Sequence, residues 1–579
     1  MKLIEALELI RHPAADTAPE VRISLICGFT PLHLATFLAA AVRVLQPERR
    51  VAVRTGLFGD LGGNIARVDP SSVGCAVVVI EWGDLDPRLA IRTLGGWKPA
   101  AMADIVGSAT ESGARLEKAL KELARRVPTI LCMPTLPLPP LFPTGPDQAG
   151  LFEMKLHRTV ASLAESLSEC PDLRIANPQL LNEKSPHDER YDVKSDVVTG
   201  FPYSLPHASA MGELIAGLVH NRQPKKGLIT DLDDTLWAGI VGEDGVDGIS
   251  WSLDRGHMHG LYQQFVASLA GAGVLVGVAS KNDPAVVKRA FDRSDLLLSR
   301  DDIFPFEVQW SRKSESVERI LKTWNVGADS VVFVDDSPME VAEVNAAFPR
   351  MECIVFPKND YPGVWNLLRR LRDVFGKPFL TEEDFIRLHS LRAAGAWQGA
   401  VDSNGRSSDG FLKASEACVV FEPVQPDGDA RAFELMNKTN QFNLNGKRFS
   451  EAEWRSIVRE PAAVLLSVSY KDKYGPLGRI SVILGRIIGR KFQVNAWVMS
   501  CRAFSRRIEH QCVKYLFETL EVDEIEFDYE STPRNGPLQE FFTELLEGPP
   551  PVPPIILSRQ QFAARVPALF HRVEGTIHV

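Results

Sequence analysis

The sequence predicts a multidomain α/β protein, and three observations lead to this fold class. The chain has 579 residues, more than a single hydrophobic core usually organises. Short apolar runs alternate with helix-like segments over residues 21–222 and again over residues 226–375, a pattern typical of parallel sheets. Residues 415–579 change to longer strand-like segments followed by a helix, which indicates a further α+β unit.

Composition and the chain start exclude several classes of protein. The chain is 45% hydrophobic and 24% charged, as in ordinary globular proteins. A net charge of -9 argues against general binding of nucleic acid or anionic membranes. No signal-peptide pattern and no long apolar span occur, and the eight cysteines form no Cys-x-x-Cys pair. We expect a cytoplasmic protein that has neither a nucleic-acid nor a membrane partner.

The first α/β region begins with a predicted buried strand at residues 21–27 and a helix at 31–45. Further buried strands are predicted at 75–80 and 129–133. The Pro-rich stretch 134–146 is predicted to be a loop.

The second α/β region has three short apolar runs, at residues 227–230, 274–278 and 330–334. Each ends in a cluster of polar or acidic residues. Parallel sheets place functional groups at the carboxyl ends of their strands. We therefore expect these clusters to meet in one site.

The first cluster contains the pattern Asp231-x-Asp233-x-Thr235. Asp231 is the candidate nucleophile for attack on phosphorus. Asp233 is the candidate acid that protonates the leaving oxygen and then activates water, and Thr235 is a candidate substrate contact. An Asp-x-Asp pair in a loop is more often a turn or a helix cap.

The other clusters supply the remaining parts of a phosphate site. Ser280 is a candidate for holding a phosphate oxygen, with Asn282 as a substrate contact. Lys313 can neutralise charge on the transferred group, although a single lysine is usually a surface residue. Four motifs in this order after three buried strands argue against coincidence.

An oxygen-rich metal site is also predicted at this edge. Asp335 and Asp336 follow the third apolar run, and together with Asp231 and Asp233 they are the candidate ligands of Mg²⁺. Such an ion reduces the repulsion between an anionic nucleophile and an anionic phosphate.

These motifs resemble the haloacid dehalogenase (HAD) phosphatase superfamily, and the string at 231–245 resembles the FkbH-like family within it. The resemblance implies a Rossmann-like, magnesium-dependent core without a large cap domain. That family has Asn where this chain has Asp234, and we expect a small effect. Residues 239–250 leave room only for a small flap, and an open mouth suits a large or protein-tethered substrate.

The third region follows residues 377–395, predicted to be helical, and a flexible linker at 399–410. Strands are predicted near 462–469, 478–484 and 492–499, a helix from about 503, and a Pro-rich loop at 548–554.

Cys501 is the candidate for a transient thioester, because a thiol at a helix N-terminus near Arg502, Arg506 and Arg507 favours thiolate. A buried structural cysteine is the alternative. His510 is a weak candidate for the base.

Asn437, in an amide-rich string, and Arg502 are candidate substrate contacts in this region. A capped helix end is the alternative interpretation for Asn437.

The same region resembles the C-terminal half of FkbH-like proteins and, through it, a GNAT-like acyltransferase fold. Ser505 and Arg507 stand where that fold has two glycines that let its backbone approach a pyrophosphate. We therefore do not predict use of acetyl-CoA.

Residues 471–514 contain ten Lys or Arg and two acids, a balance of +8 that leaves -17 for the rest of the chain. A solvated sheet edge is one interpretation. The other is a docking surface for an acidic acyl carrier protein and its phosphopantetheine arm.

The first region faintly resembles SGNH hydrolases, whose last block has the pattern Asp-x-x-His. His207 fits the His position, but Ser204 replaces the Asp and the first strand ends in Cys27 and Gly28 rather than Gly-Asp-Ser. We expect a degenerate SGNH-like α/β domain with a structural or docking role. Phosphate or carrier binding at His207 is the minority interpretation.

The expected domains are a degenerate SGNH-like domain (1–222), a HAD-like phosphatase domain (223–376), a helical linker (377–414) and a GNAT-like domain (415–579). The FkbH-like resemblance implies a bifunctional glyceryl transferase/phosphatase. It would convert 1,3-bisphosphoglycerate into a glyceryl thioester on an acyl carrier protein, for polyketide or related secondary-metabolite biosynthesis. The alternatives are a phosphatase acting on a small phosphorylated metabolite and a non-catalytic carrier-binding scaffold.

Overall fold

The fold was analysed in a computed structural model of the full chain. It describes residues 1–12, 15, 17–145, 147–381, 384–389, 391–392, 409–425, 429–439, 441–473, 475–548 and 553–575. The chain divides into two compact units: Met1–Gln223 with Ser450–Arg455, and Pro224–Phe449 with Ser456–Val579.

The first unit contains a five-stranded parallel sheet of order β2-β1-β3-β4-β5. Its strands are β1 Glu20–Cys27, β2 Arg50–Thr55, β3 Cys75–Val79, β4 Thr129–Cys132 and β5 Leu173–Ile175. The predicted strands and first helix are therefore confirmed, whereas β2 and β5 were not predicted.

Nine α-helices lie within Met1–Gln223 in the described part of this unit. They are Leu3–Arg11, Leu32–Leu45, Leu61–Ala66, Trp82–Leu85, Met102–Arg126, Leu151–Ser168, Pro178–Lys184, Val193–Thr199 and Leu205–His220. Alternate strand residues pack into two separate cores: Leu25 and Val77 lie in one, and Ile26 and Val78 lie in the other. A parallel sheet covered on both faces explains why the central strand β3 is apolar and buried at every position.

The second unit begins with another five-stranded parallel sheet, of order β10-β9-β6-β7-β8. Its strands are β6 Gly227–Thr230, β7 Leu275–Ser280, β8 Ile303–Val308, β9 Val331–Asp335 and β10 Glu352–Val355. The associated helices are Val241–Asp244, His257–Gly271, Pro284–Phe291, Lys313–Trp324, Pro338–Ala347 and Tyr361–Phe375. The three predicted apolar runs form its three inner strands.

A mixed eight-stranded sheet follows, of order β17-β16-β15-β14-β13-β11-β18, with β12 paired to β15. Its strands are β11 Cys418–Pro423, β12 Phe442–Asn443, β13 Val464–Asp472, β14 Gly475–Ile488, β15 Lys491–Met499, β16 Glu524–Phe527, β17 Ile555–Ser558 and β18 Arg572–Glu574. The α-helices along this part of the chain are Asp409–Ala414, Ala430–Lys438, Glu451–Val458, Ile508–Thr519, Gly536–Leu546 and Arg559–Arg565. The first five residues of Glu451–Val458 belong to the first unit.

The predicted flexible linker 399–410 lies largely outside the described residues. Of the predicted helix 377–395, residues 384–389 and 391–392 are helical, whereas 377–381 are not. In the described part of the chain, no helix has the length and apolar character needed to cross a membrane.

Candidate active site

Asp231, the predicted nucleophile, lies at the carboxyl edge of the β10-β9-β6-β7-β8 sheet. It directly follows β6, and its backbone N–H donates to the carbonyl of Val334 on β9 at 3.0 Å. This bond fixes the residue between two inner strands, and its side chain is buried. Ser280 ends β7, beside the Asp231 carboxylate.

Lys313 connects the acidic residues of this edge. Its Nζ lies 2.5 Å from Asp231 Oδ1, 2.9 Å from Asp335 Oδ2 and 3.2 Å from Glu340 Oε2. Burial alone would lower the pKa of Lys313, but the three carboxylates outweigh it and raise the pKa. The ammonium group therefore stays charged and can offset negative charge on Asp231 and on a bound phosphoryl group.

Three carboxylates form a group that can hold a cation. Oxygens of Asp231, Asp335 and Asp336 all lie within 4.8 Å of one another. Burial raises the pKa of Asp231, and burial together with the charge of Asp231 raises the pKa of Asp335. A divalent cation would relieve this cost, and an all-oxygen donor set suits Mg²⁺. The residues present therefore fit a magnesium ion.

Asp233 is held by three donors. Its Oδ1 accepts from Trp237 Nε1 at 2.8 Å and from the backbone N–H of Val241 at 3.0 Å. Its Oδ2 accepts from Asn282 Nδ2 at 2.9 Å. The carboxylate is thus oriented but stands outside the three-carboxylate group, so its part in metal binding stays a prediction.

Asn282 links two predicted roles. Besides Asp233, its Nδ2 contacts Ser280 Oγ at 3.0 Å. It therefore joins the candidate acid to the candidate phosphate-binding hydroxyl. Thr235 is fully buried and its Oγ1 has no hydrogen-bond partner among the described residues; its substrate contact remains a prediction.

Sequence reasoning missed two charged residues of this site. Glu340 pairs with Lys313 and with Lys281; an acid in the first turn of a helix directly after β9 was the available signal. Lys358, just after β10, lies 2.9 Å from both Asp234 and Asp336. It gave no signal because β10 was not predicted. The extra carboxylate of Asp234 therefore pairs with Lys358.

The segment between β6 and the next long helix is a small flap, as predicted. Ala238 and Ser250 exchange backbone hydrogen bonds of 2.8 and 3.0 Å, which close the loop around the short helix Val241–Asp244. Val241 donates to Asp233, so the flap also orients the candidate acid.

The expected helix from about residue 503 is wrong. A 3₁₀ turn covers Cys501–Ala503, and the α-helix begins only at Ile508. Ser505 and Arg507 adopt φ of 64° and 58°, left-handed values that interrupt a helix. The proposed effect of an α-helix N-terminus on Cys501 is therefore not supported. The side chain of Cys501 lies outside the described part of the structure.

The basic residues predicted to act near Cys501 have the following partners in the structure. Arg506 is buried and pairs with Asp472 at 3.6 Å, and Arg507 pairs with Asp409 at 2.8 Å. Arg502 Nε lies 3.4 Å from Ser500 Oγ. His510 Nδ1 lies 3.3 Å from Glu509.

Asn437 lies in the last turn of Ala430–Lys438, and its Oδ1 accepts from the backbone N–H of Phe449 at 2.8 Å. This contact matches the structural alternative for Asn437. Its role as a substrate contact stays a prediction.

His207 is completely buried in the first unit. Its Nε2 lies 2.9 Å from Thr135 Oγ1, and its Nδ1 lies 2.9 Å from Ser185 Oγ. No phosphate or carrier could reach the imidazole without moving these partners. The structural interpretation of His207 therefore fits its surroundings.

Comparisons with known proteins show the fold. No protein-family model matches the sequence, and no curated protein is significantly similar to it. The N-terminal part of the protein BF1531 from Bacteroides fragilis, containing a phosphatase domain complexed with Mg, is similar in structure. The TM-score is 0.51 at 20% identity, over 66% of this chain and 100% of that one. This likeness confirms the predicted α/β fold class, with its Rossmann-like core.

Two further structures are much more distant. Phospholipase A1 from Streptomyces albidoflavus NA297 gives a TM-score of 0.25 at 11% identity, over 34% of this chain and 98% of that one. The salicylyl-acyltransferase SsfX3 from a tetracycline biosynthetic pathway gives 0.21 at 11% identity, over 35% and 54%. Neither supports a conclusion.

The acidic triad and the Mg of the BF1531 structure agree with the prediction of Mg²⁺ as the cofactor.

Proposed function

We propose that the chain is a magnesium-dependent HAD-type phosphatase that forms a phosphoenzyme at Asp231. The observation that carries the proposal is the set of carboxylates gathered around the buried Lys313 beside Ser280. An ammonium group with three carboxylates at one strand edge is costly to bury. The need to stabilise a transferred phosphoryl group would explain why this cluster is buried despite its cost.

The residues divide the reaction between them. The Asp231 carboxylate attacks phosphorus, and Asp233 gives a proton to the leaving oxygen. Asp233 then takes a proton from water, which releases phosphate from Asp231. Ser280 and Lys313 hold the phosphoryl oxygens. When bound, Mg²⁺ supplies positive charge between nucleophile and phosphate.

We further propose that this activity serves glyceryl transfer from 1,3-bisphosphoglycerate to an acyl carrier protein, as the FkbH-like resemblance implies. In the acyl-transfer half, the Cys501 thiolate attacks the carbonyl carbon of the acyl phosphate and the 1-phosphate leaves. The 3-phosphate is removed at the Asp231 site, where water hydrolyses the phosphoenzyme and inorganic phosphate leaves. The resulting thioester then exchanges with the carrier's phosphopantetheine thiol. The domain boundaries given above are part of this proposal, with phosphatase chemistry in 223–376 and acyl transfer in 415–579.

The basic segment 471–514 is the proposed docking region for the carrier. At least six of its ten basic residues have an acidic partner within the described structure: Arg479 with Asp429, Arg490 with Asp523, Lys491 with Glu526, Arg506 with Asp472, Arg507 with Asp409 and Lys514 with Glu518. The field it presents is therefore weaker than its local charge of +8 implies.

Lys471 and Arg486 remain exposed, but they lie at opposite ends of the β13–β14 pair. Lys471 pairs with Pro476 near the end of β13 and the start of β14. At the other end of the pair, Val464 is opposite Gly485, which directly precedes Arg486. A carrier would meet separated basic positions rather than one continuous patch.

Intact-mass spectrometry of the full chain with a carrier protein, Mg²⁺ and 1,3-bisphosphoglycerate tests the transfer proposal. We expect a glyceryl adduct on the wild-type enzyme and on the carrier. The Cys501→Ala variant should lose both adducts and keep phosphatase activity, whereas Cys170→Ala, a partly exposed thiol elsewhere, should change neither.

Phosphate release without an adduct on either protein would favour a phosphatase acting on a small metabolite. The absence of an α-helix N-terminus at Cys501 favours this second candidate. Carrier binding without phosphate release would instead leave the non-catalytic scaffold.

A further inference from the structure

The first unit contains a cavity that the proposed phosphatase does not use. Its volume is about 550 Å³, within the range of sites for small molecules. The segments that follow β4 and β5 line it: Met133 to Leu138 after β4, and Ala176 to Pro178 with Leu181 and Asn182 after β5. It therefore lies at the carboxyl ends of parallel strands, the usual place for a ligand in such sheets.

Part of the cavity lining is apolar, and these residues are termed the apolar wall. Trp82, Leu136, Val160, Leu181, Met211 and Leu214 are among its lining residues. Trp82 is held by a hydrogen bond from its Nε1 to the carbonyl of Leu136 at 2.8 Å. This wall is suited to a hydrocarbon chain or ring rather than to a sugar or a nucleotide phosphate.

Other lining residues are hydrogen-bond donors, and these are termed the donor wall. They are Arg190, His157, His187, Asn177 and Asn182, with Glu153 as the acid among the lining residues. Glu153 is engaged at the start of its helix, where it accepts from the backbone N–H of Gly150 at 2.7 Å. A wall with this excess of donors favours a ligand that brings acceptor oxygens.

Arg190 is the strongest feature of that wall. It is 3% exposed, and its Nε and Nη2 donate to the carbonyl of Ser185 at 3.1 and 2.8 Å. Its Nη1 donates to the carbonyl of Thr135, and its Nη2 also donates to Asn182 Oδ1. One Nη1 N–H has no acceptor among the described residues, and no described carboxylate lies within 4 Å of the guanidinium. A buried cation without a direct counter-ion favours an anion nearby.

The hydroxyl of Thr135, which also lines the cavity, is not an activated nucleophile. Thr135 Oγ1 donates to Glu81 Oε1 at 2.7 Å, so it accepts from His207 Nε2–H at 2.9 Å. His207 Nδ1 then accepts from the hydroxyl of Ser185. With its Nε2 already protonated, His207 cannot remove the proton of Thr135. The arrangement therefore serves binding and not cleavage.

We propose that this cavity binds a small amphipathic anion, an organic carboxylate or phosphate with an apolar chain. The chain packs against the wall formed by Trp82, Leu136 and Met211. The acidic group lies on the donor wall with Arg190 and Asn182. The proposal is independent of the phosphatase site, which belongs to the other unit.

Isothermal titration calorimetry of the full chain in EDTA tests the proposal. The ligands are octanoate, which carries a carboxylate, and octylphosphonate, which stands in for a phosphate. Octanol is the uncharged control. We expect at least one anion to bind at least about tenfold more tightly than octanol, a difference of roughly 1.4 kcal/mol. His157→Leu should weaken that binding several-fold. The matched variant His220→Leu, an exposed histidine on the helix Leu205–His220, should not.

Val160→Trp should abolish binding, because the larger side chain fills the cavity without removing a hydrogen bond. Its folding is checked by circular dichroism, and its phosphatase activity should stay unchanged. Equal affinity for octanol and the anions, no binding of either anion, or full binding by the folded Val160→Trp variant would each overturn the proposal.

Discussion

At the scale of single residues, the site depends on one ammonium group. Lys313 contacts Asp231, Asp335 and Glu340, and all its donors point to oxygen atoms, including the carbonyl of Ala279 at 2.8 Å. Removing one partner of a buried ionic cluster leaves charge that neither water nor protein balances. Lys313 therefore stabilises the ionised form of Asp231, which the nucleophile requires.

Lys313→Met should reduce phosphatase turnover by at least about a hundredfold and destabilise the second unit by roughly 3 kcal/mol. The reason is the loss of the cation that faces Asp231 and the phosphoryl group. Turnover of a chromogenic phosphoester with Mg²⁺ and urea unfolding measure the two effects. Lys281→Met is the matched control, since Lys281 pairs only with Glu340 in this cluster and is 37% exposed. Equal losses of turnover and stability in the two variants, or full activity in Lys313→Met, would refute the role of Lys313.

A second residue-scale prediction concerns pH. Burial, followed by the charges of Arg190 and His187, lowers the pKa of His207 to about 3. A lowered folded-state pKa of a histidine stabilises the fold above about pH 6.5, and this stabilisation is lost as the pH falls toward 3. At about pH 5 the loss amounts to roughly 2 kcal/mol, about 30-fold in the opening equilibrium.

Hydrogen exchange measured for the helix Leu205–His220 checks this prediction. After correction for the chemical exchange rate, wild-type protection should fall by about 30-fold between about pH 7 and pH 5. His207→Gln should lose most of this dependence, and His220→Gln should keep it. Equal pH dependence in all three proteins would show that His207 is not the titrating group.

At the scale of elements, the inner strands could be predicted from the sequence and the edge strands could not. β3 and β9 are buried at every position, so their apolar runs stand out. The four unpredicted strands of the two parallel sheets, β2, β5, β8 and β10, all lie at sheet edges, where at most two positions in a strand are buried. An edge strand is covered on fewer sides, and its composition resembles that of a loop.

The difference between inner and edge strands also determined which site residues could be predicted from the sequence. Asp231, Ser280 and Asp335 are fixed by inner strands, and their positions in the motif order were sufficient. Lys358 follows the edge strand β10 and was missed. Near Cys501 the sequence misplaced the helix start, because left-handed backbone at Ser505 and Arg507 has no clear signal in residues other than glycine.

Close packing of one helix on the sheet also positions Lys313. A Cβ on Gly277 of β7 would lie 2.9 Å from the ring of Trp324 and 3.2 Å from Ile320, both on the helix Lys313–Trp324. Gly277→Val should therefore cost roughly 1–3 kcal/mol and lower turnover, because the helix that begins with Lys313 must move.

Urea unfolding and steady-state kinetics measure this effect, with Gly271→Ala as the control. A Cβ on Gly271 meets no atom within 4 Å, so that variant should match the wild type or be slightly more stable. If Gly277→Val unfolds at the wild-type urea concentration with unchanged turnover, the helix is not held by this contact.

At the scale of the whole molecule, the net charge of -9 conceals an uneven distribution that the structure partly compensates. The basic segment 471–514 is balanced by acids from outside it, such as Asp429, Asp523 and Glu526. Linear charge counts therefore overstate its attraction for a partner. Its remaining exposed charges are still positive, so a modest electrostatic contribution to carrier binding is expected.

Affinity for an acyl carrier protein should fall by more than about threefold when the salt concentration is raised from about 0.05 M to about 0.5 M. Arg486→Glu should weaken binding further at low salt, while Arg490→Glu, whose wild-type side chain is already paired with Asp523, should have a smaller effect. Fluorescence anisotropy of a labelled carrier measures both. An affinity that does not change with salt would exclude this docking surface.

The proposed phosphatase reaction requires that Asp231 carries the phosphoryl group. Acid quenching of the full chain during turnover of a phosphoester with Mg²⁺, followed by peptide mass spectrometry, tests it most directly. We expect a phosphoryl adduct on Asp231 that is absent from Asp231→Asn and accumulates in Asp233→Asn, because the second step needs the Asp233 base. Turnover by wild type without an adduct, or an adduct on a different residue, would contradict the account.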